Sequence, residues 1–276
     1  MITRMEGHFA GFKKTDLFYQ TWTVPQAIGT LVVTHGLGEH SDCYNLFANA
    51  MCPKGWNVIS WDLRGHGRSE GRRGCIDQFS DFAHDLQIFL YFLKQHSKLE
   101  LPYFFFSFSM GGLITLRYAT ELGVDGALGI CLSSPLIGVA AKVPVIKDFA
   151  AKVLFNIAPN YTMFNELQFT DLTRDPEILK TYPKDSLRHD KISPGLYFGI
   201  LDSIKAVHEN VEKISVPFQM QLAGADKVVS TPASQNYFGL VKSEVKKLIV
   251  YPENHHEIFN DIDREQVFTD LDLFTK

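Results

Sequence analysis

The chain of 276 residues carries 27 Lys and Arg against 31 Asp and Glu, a net charge of −4, and 45% of its residues are apolar. That length and apolar content suit one large α/β domain with an insertion and exclude a disordered chain, while interspersed acidic and basic residues leave no basic face for nucleic acid. The four cysteines, Cys43, Cys52, Cys75 and Cys131, have neither metal-ligand spacing nor the density of a disulfide framework.

In chain order, residues 7–13 and 17–24 read as a strand pair that opens a sheet. Residues 30–34 form a buried strand running into His35-Gly36-Leu37-Gly38-Glu39-His40, where glycines let the backbone turn its N–H groups. A helical pattern over 43–54, a strand over 57–61 and a helix over 79–96 follow. In that helix Phe82, Leu86, Phe89, Leu90 and Leu93 recur at three- and four-residue spacing. A strand over 103–107 ends in Ser107-Phe108-Ser109-Met110-Gly111-Gly112 before a new helical pattern, and 127–133 is a further strand containing Cys131.

From Pro135 to about residue 215 the alternation stops, and helical stretches without a convincing strand replace it. The division predicted is a core of residues 1–134 and 216–276 with an inserted helical cap at 135–215. Residues 139–159 are its most apolar part: Val143, Val145, Ile146, Phe149, Ala150, Val153, Leu154, Phe155 and Ile157 stand among Lys142, Lys147, Asp148 and Lys152. Such a stretch suits the lining of an acyl pocket, contact with a lipid surface, or plain packing of the cap. Strands over 218–223 and 247–251 complete the pattern. Alternation of this kind predicts a mostly parallel sheet with helices on both faces and a ligand site at the carboxyl ends of its strands.

The strand ends carry the chemistry. Ser109 lies where a strand reverses into a helix, a geometry that exposes a strained serine and demands small neighbours two positions away. Gly111 meets that demand, and Ser107 replaces the usual glycine. An activated serine needs oxyanion donors, a base and an orienting acid. The donors expected are the N–H groups of Leu37 and Met110, and Asp226, past the strand at 218–223, is the acid. The base is one of two neighbours, His255 or His256. His256 is preferred because residues 256–260 read as a helix start facing back across the sheet edge. Leu136 and Val228 are candidate pocket residues, and Asp62, Arg64 and His66 are expected to shape loops by pairing.

Taken with Asp62-Leu63-Arg64-Gly65-His66-Gly67-Arg68-Ser69, Gly71-Arg72-Arg73-Gly74, Ile76-Asp77-Gln78-Phe79, Leu172-Thr173-Arg174-Asp175-Pro176 and His256-Glu257-Ile258-Phe259, these elements make the chain resemble the α/β-hydrolase superfamily. The resemblance is closer to its monoglyceride lipase and lysophospholipase branch and covers nearly the whole length. Departures are Ser107 and Asp185-Ser186-Leu187, where the branch has a central proline. The resemblance implies ester hydrolysis by Ser109, His256 and Asp226 without metal or organic cofactor. The substrate implied is a monoacylglycerol, with lysophospholipid or a broad range of carboxylic esters as alternatives. Peptidases and thioesterases share the scaffold, a haloperoxidase uses the same triad, and an inactive receptor or interaction module is the alternative of a different class. No signal-peptide pattern opens the chain, so a cytoplasmic protein with peripheral membrane contact through the cap is expected. Acyl length and oligomeric state leave no trace in the sequence.

Overall fold

The computed structural model describes residues 1–124, 126–140 and 152–276. Its main sheet is formed by β1 (Thr3–Ala10), β2 (Asp16–Thr23), β3 (Gly29–Thr34), β4 (Trp56–Trp61), β5 (Tyr103–Phe108), β6 (Gly129–Ser133), β9 (Phe218–Ala223) and β10 (Lys246–Tyr251). The eight strands lie in the order β1-β2-β4-β3-β5-β6-β9-β10. β2 runs antiparallel to both neighbours, and every pairing from β4 to β10 is parallel. This is the α/β-hydrolase architecture expected from the sequence.

The aromatic run of β5 shows why the sheet is covered twice. Successive side chains of a strand point to opposite faces. Tyr103 and Phe105 accordingly join one core with Phe82, Leu86, Phe89, Leu113 and Leu116, while Phe104, Phe106 and Phe108 join a second with Phe47, Met51, Phe268 and Leu271. The helices Ser80–Gln95 and Met110–Glu121 cover the first face, and Asn45–Met51 and Arg264–Thr275 cover the second. Phe47 stacks on Phe106 with centroids 4.4 Å apart, and the second core mixes such rings with aliphatic chains such as Leu31, Val33 and Leu271.

Differences from expectation fall where the pattern is weak. The first strand begins at Thr3 rather than Gly7, because it is an exposed edge strand whose polar residues need no alternation. The helix expected over 43–54 is Asn45–Met51 flanked by single 3-10 turns, Ser41–Tyr44 and Cys52–Lys54, with Pro53 in the second.

Between β6 and β9 lies the insertion. Residues 152–157 are helical, and β7 (Met163–Phe164) pairs antiparallel with β8 (Lys191–Ile192), a ladder too short to leave a periodic signal. The helix Pro194–Glu209, capped by the Ser193 hydroxyl, buries Leu196, Ile200 and Val207 in the first core. Of the apolar stretch singled out in the sequence, Lys142, Val143, Val145, Ile146, Lys147, Asp148, Phe149 and Ala150 lie outside the described residues. Among the described residues no helix is long and apolar enough to cross a membrane. β3 is flanked by β4 on one side and β5 on the other, so the chain leaves it in both directions and opens a crevice at the carboxyl ends of β3 and β5.

Candidate active site

Ser109 follows β5 with φ 50° and ψ −119°, a left-handed backbone conformation that L-residues adopt only under constraint. The constraint is a set of main-chain bonds. Ser109 N–H donates to the Ser133 carbonyl at 3.1 Å, and its carbonyl accepts from Leu113 at 3.3 Å and Leu136 at 2.9 Å. Gly111 is required by contact: a Cβ there would sit 2.2 Å from the Thr34 carbonyl oxygen. Ser107, in place of the usual glycine, is fully buried, and its hydroxyl is satisfied by the Thr115 hydroxyl at 2.7 Å. A polar pair within the turn thus absorbs the departure.

His256 Nε2 lies 2.9 Å from Ser109 Oγ, and its Nδ1 lies 2.8 Å from Asp226 Oδ2. The other Asp226 oxygen accepts the N–H groups of Val228 at 2.8 Å and Val229 at 2.9 Å, which locks the carboxylate in its turn. Phe108 packs on the imidazole with centroids 4.7 Å apart, and the ring is buried. His255 points elsewhere: its Nδ1 donates to the Thr170 carbonyl at 2.8 Å. The helix start expected at 256–260 is instead a single 3-10 turn, Ile258–Asn260, and the next helix begins at Arg264. What aims His256 is the insertion: its N–H reaches the Asp171 carbonyl at 3.3 Å, and the Glu257 N–H reaches Leu172 at 2.7 Å.

The loop after β3 passes beside the serine, since a Cβ on Gly36 would stand 3.3 Å from Ser109 Cβ. His35 sets its shape. Nε2 accepts the Leu63 N–H at 3.0 Å, so the proton is on Nδ1, which donates to the Gly36 carbonyl at 2.8 Å. Burial pushes this imidazole down to about 3, and it stays neutral in that role. Gly38, at φ 78°, accepts the His189 N–H at 3.0 Å and leaves no room for a side chain against the His189 carbonyl. Met110 opens its helix, where first-turn N–H groups lack intrahelical partners. Leu37 borders a cavity of about 240 Å³ whose walls include Leu167, Phe169, Tyr182, Arg188 and Asp190. Leu136 and Val228 reach the site as main-chain partners of Ser109 and Asp226 and do not line that cavity.

Asp62, Arg64 and His66 hold loops. Asp62 accepts the N–H groups of Ser41 at 2.6 Å and Arg68 at 2.7 Å, Arg64 pairs with Asp85 at 2.6 Å, and His66 packs between His35 and His189 at 5.2 and 4.6 Å. His40, Cys43 and Asp185 bring three donor atoms within 4.8 Å of one another. Burial holds the thiol protonated and Arg188 stands 3.8 Å from Asp185, so the group is suited to hydrogen bonding rather than to a cation. The sequence reading assigns no role to Glu39, Arg188 or Glu257. Glu39 lies in the glycine-rich loop at residues 35–40 and Glu257 next to His256, whereas Arg188 carries no local signal and joins the site only through the fold.

A family model described as serine aminopeptidase, S33 (Hydrolase_4) matches residues 25–263. The chain belongs to that family. It is 30% identical over 258 residues to an uncharacterized abhydrolase domain-containing protein of Dictyostelium discoideum, covering 93% of this chain but 27% of that protein. Phospholipase YtpA of Bacillus subtilis is 29% identical over 256 residues, 92% of this chain and 98% of the relative. The crystal structure of Paleococcus ferrophilus monoacylglycerol lipase is similar with a TM-score of 0.81 at 28% identity, covering 99% of this chain and 98% of that one.

Proposed function

We propose that this protein hydrolyses carboxylic esters of fatty acids, monoacylglycerols first among them, with Ser109 as nucleophile, His256 as base and Asp226 as orienting acid. The observation that carries the assignment is the continuous contact from Asp226 Oδ2 through both imidazole nitrogens to Ser109 Oγ, at 2.8 and 2.9 Å. His256 takes the serine proton as Oγ attacks the ester carbonyl, while Asp226 fixes the tautomer with Nε2 free to accept. The N–H groups of Leu37 and Met110 receive the oxyanion, and each such donor contributes about 2.7 to 4 kcal/mol to the transition state. The alcohol leaves with the proton from His256, and water repeats the sequence on the acyl-enzyme.

Two features support a lipid ester. The cavity beside Leu37 mixes apolar with charged walls, as a small polar alcohol requires, and the similarity to a monoacylglycerol lipase runs the length of the chain. The insertion acts as the lid. Its exposed Val153, Phe155, Ile157, Tyr161 and Phe164 support peripheral contact with a lipid surface. Similarity to a phospholipase favours lysophospholipid as the second substrate.

The test is a panel of monoacylglycerol, lysophospholipid, acetyl ester and aminoacyl anilide, run on wild type beside Ser109→Ala. Monoacylglycerol turnover is expected to lead and to fall at least ~10⁴-fold in the variant at unchanged melting temperature. A flat preference for acetyl esters removes the lipid assignment, turnover led by the anilide makes the protein a peptidase, and no turnover with no fluorophosphonate labelling makes it a non-catalytic binding module.

A further inference from the structure

Behind the serine lies a buried acid pair that the hydrolysis does not consume. Glu39 and Glu257 are 2% and 1% exposed. Glu39 Oε2 accepts the Gly36 N–H at 3.0 Å and the Tyr44 hydroxyl at 3.2 Å. Glu257 Oε2 accepts the Tyr182 hydroxyl at 2.5 Å and the Asn260 amide at 2.8 Å. Between the two remaining oxygens stands one guanidinium from the insertion. Arg188 Nη1 donates to Glu257 Oε1 at 3.3 Å, Nη2 lies 3.7 Å from Glu39 Oε1, and the group rests on the Tyr182 ring at 4.2 Å.

The position of this cluster gives it a consequence for catalysis. Gly36, held by Glu39, immediately precedes Leu37, the proposed oxyanion donor. Glu257 immediately follows His256. Arg188 precedes His189, whose N–H donates to the Gly38 carbonyl at 3.0 Å. One side chain of the insertion therefore bridges the two loops that must stay in register around the reacting carbonyl, where a displacement of about 1 Å costs ~10²-fold in rate.

We propose that Arg188 is a positioning residue for ester hydrolysis: by clamping Glu39 and Glu257 it fixes the oxyanion loop against the histidine loop, and it makes that geometry depend on docking of the insertion. The proposal rests on the assignment of Ser109, His256 and Leu37 above. Two carboxyls and one guanidinium in a buried site are balanced when the carboxyls share one proton. Burial and the charge of Glu257 push Glu39 up to about 8, whereas Arg188 and the donors of Tyr182 and Asn260 outweigh burial and hold Glu257 below its ordinary value. Tyr44, Cys43 and His40 from the first loop, Tyr182, Asp185 and His189 from the insertion and Asn260 from the turn after His256 surround the pair, and Arg188 is the cation pushed up by it. Loss of the shared proton sets like charges against each other across the two loops.

The experiment measures kcat, KM and fluorophosphonate labelling with a short nitrophenyl ester from pH 6 to 9.5 for wild type, Ser109→Ala, Arg188→Met, Arg188→Lys and Glu39→Gln. Arg188→Met is expected to lower kcat by ~10-fold or more with KM changed less than ~2-fold, to slow labelling in proportion, and to be partly rescued by Arg188→Lys. Wild type is expected to lose activity through an alkaline limb near pH 8 that moves upward in Arg188→Met and vanishes in Glu39→Gln. Wild-type kcat in a folded Arg188→Met overturns the proposal. Should that variant fail to fold, the Glu39→Gln profile decides, an unchanged limb overturning the proposal and a lost limb supporting it. Ser109→Ala separates the two assignments: if it keeps wild-type turnover the triad falls and this proposal with it, and if it is inactive while Arg188→Met is not, only this proposal falls.

Discussion

The serine turn and the inserted segment 165–192 both meet His256, one through the Ser109 hydroxyl and the other through the Asp171 carbonyl, and are built on opposite principles. At the turn, strain is held by close packing: a left-handed Ser109, main-chain bonds to Ser133 and Leu136, and a glycine pressed against the Thr34 carbonyl. In the insertion a two-residue ladder, buried ion pairs and the neutral His189 do the holding, and Phe164, Leu167 and Phe169 stay exposed. A turn where negative charge develops gains from having one arrangement. In the lid role proposed above, the insertion would gain from contacts that solvent, lipid or pH can change. The two regions also hold different side chains, the turn fixing Ser109 and the insertion holding His256 and Glu257 through the carbonyls of Asp171 and Leu172.

The largest test of this contrast is Gly111→Ala. The added methyl would meet the Thr34 carbonyl, so the turn must shift, with an expected loss of about 1 to 3 kcal/mol in unfolding free energy and fluorophosphonate labelling nearly abolished. Wild-type labelling would mean that the turn is as compliant as the insertion.

Acid should act chiefly where the histidines pack. Burial holds His189 down to about 4 and His35 to about 3, and keeps His66 low as well. These rings are neutral in the folded state, whereas the unfolded chain takes up protons from about pH 6.5 downward. The stability these neutral rings contribute is therefore fully present above that value and declines as pH falls toward 4, by roughly 1 to 2 kcal/mol per ring at pH 5. Melting curves should drop over this interval, and His189→Asn should flatten the drop. Parallel curves for the two proteins would remove His189 from the account.

The smallest effect is expected from Ser107→Gly. It restores the usual small residue but leaves the Thr115 hydroxyl without its 2.7 Å partner, for a loss of about 1 kcal/mol with labelling little changed. A gain in stability would show that the serine strains the turn.

The elements that the sequence made legible are those whose physics is local. The Phe-rich strand, the small residues after Ser109 and the apolar spacing of residues 82–93 each force one conformation on their own neighbourhood, and the eight-stranded fold follows from their alternation. The insertion was opaque because its order comes from isolated pairs: a two-residue ladder has no period, and Arg188 looks like any surface arginine until its side chain is seen 9% exposed between two carboxylates. His256 over His255 was legible only as a preference, and for a reason the fold did not supply, since no helix starts there.

Residue type and spacing were enough to single out Ser109, Asp226 and the loop at residues 35–40 as candidates, because a strained turn, a buried strand and a glycine-rich bend are dictated by neighbours within a few positions. Which histidine turns inward, how Ser107 is tolerated and why Glu39 and Glu257 can be buried together were decided only by the folded chain. Each depends on atoms brought together from separate elements, through contacts such as Ser107 to Thr115, Ser109 to His256 and Arg188 to both Glu39 and Glu257, and no pattern of adjacent residues encodes such an encounter.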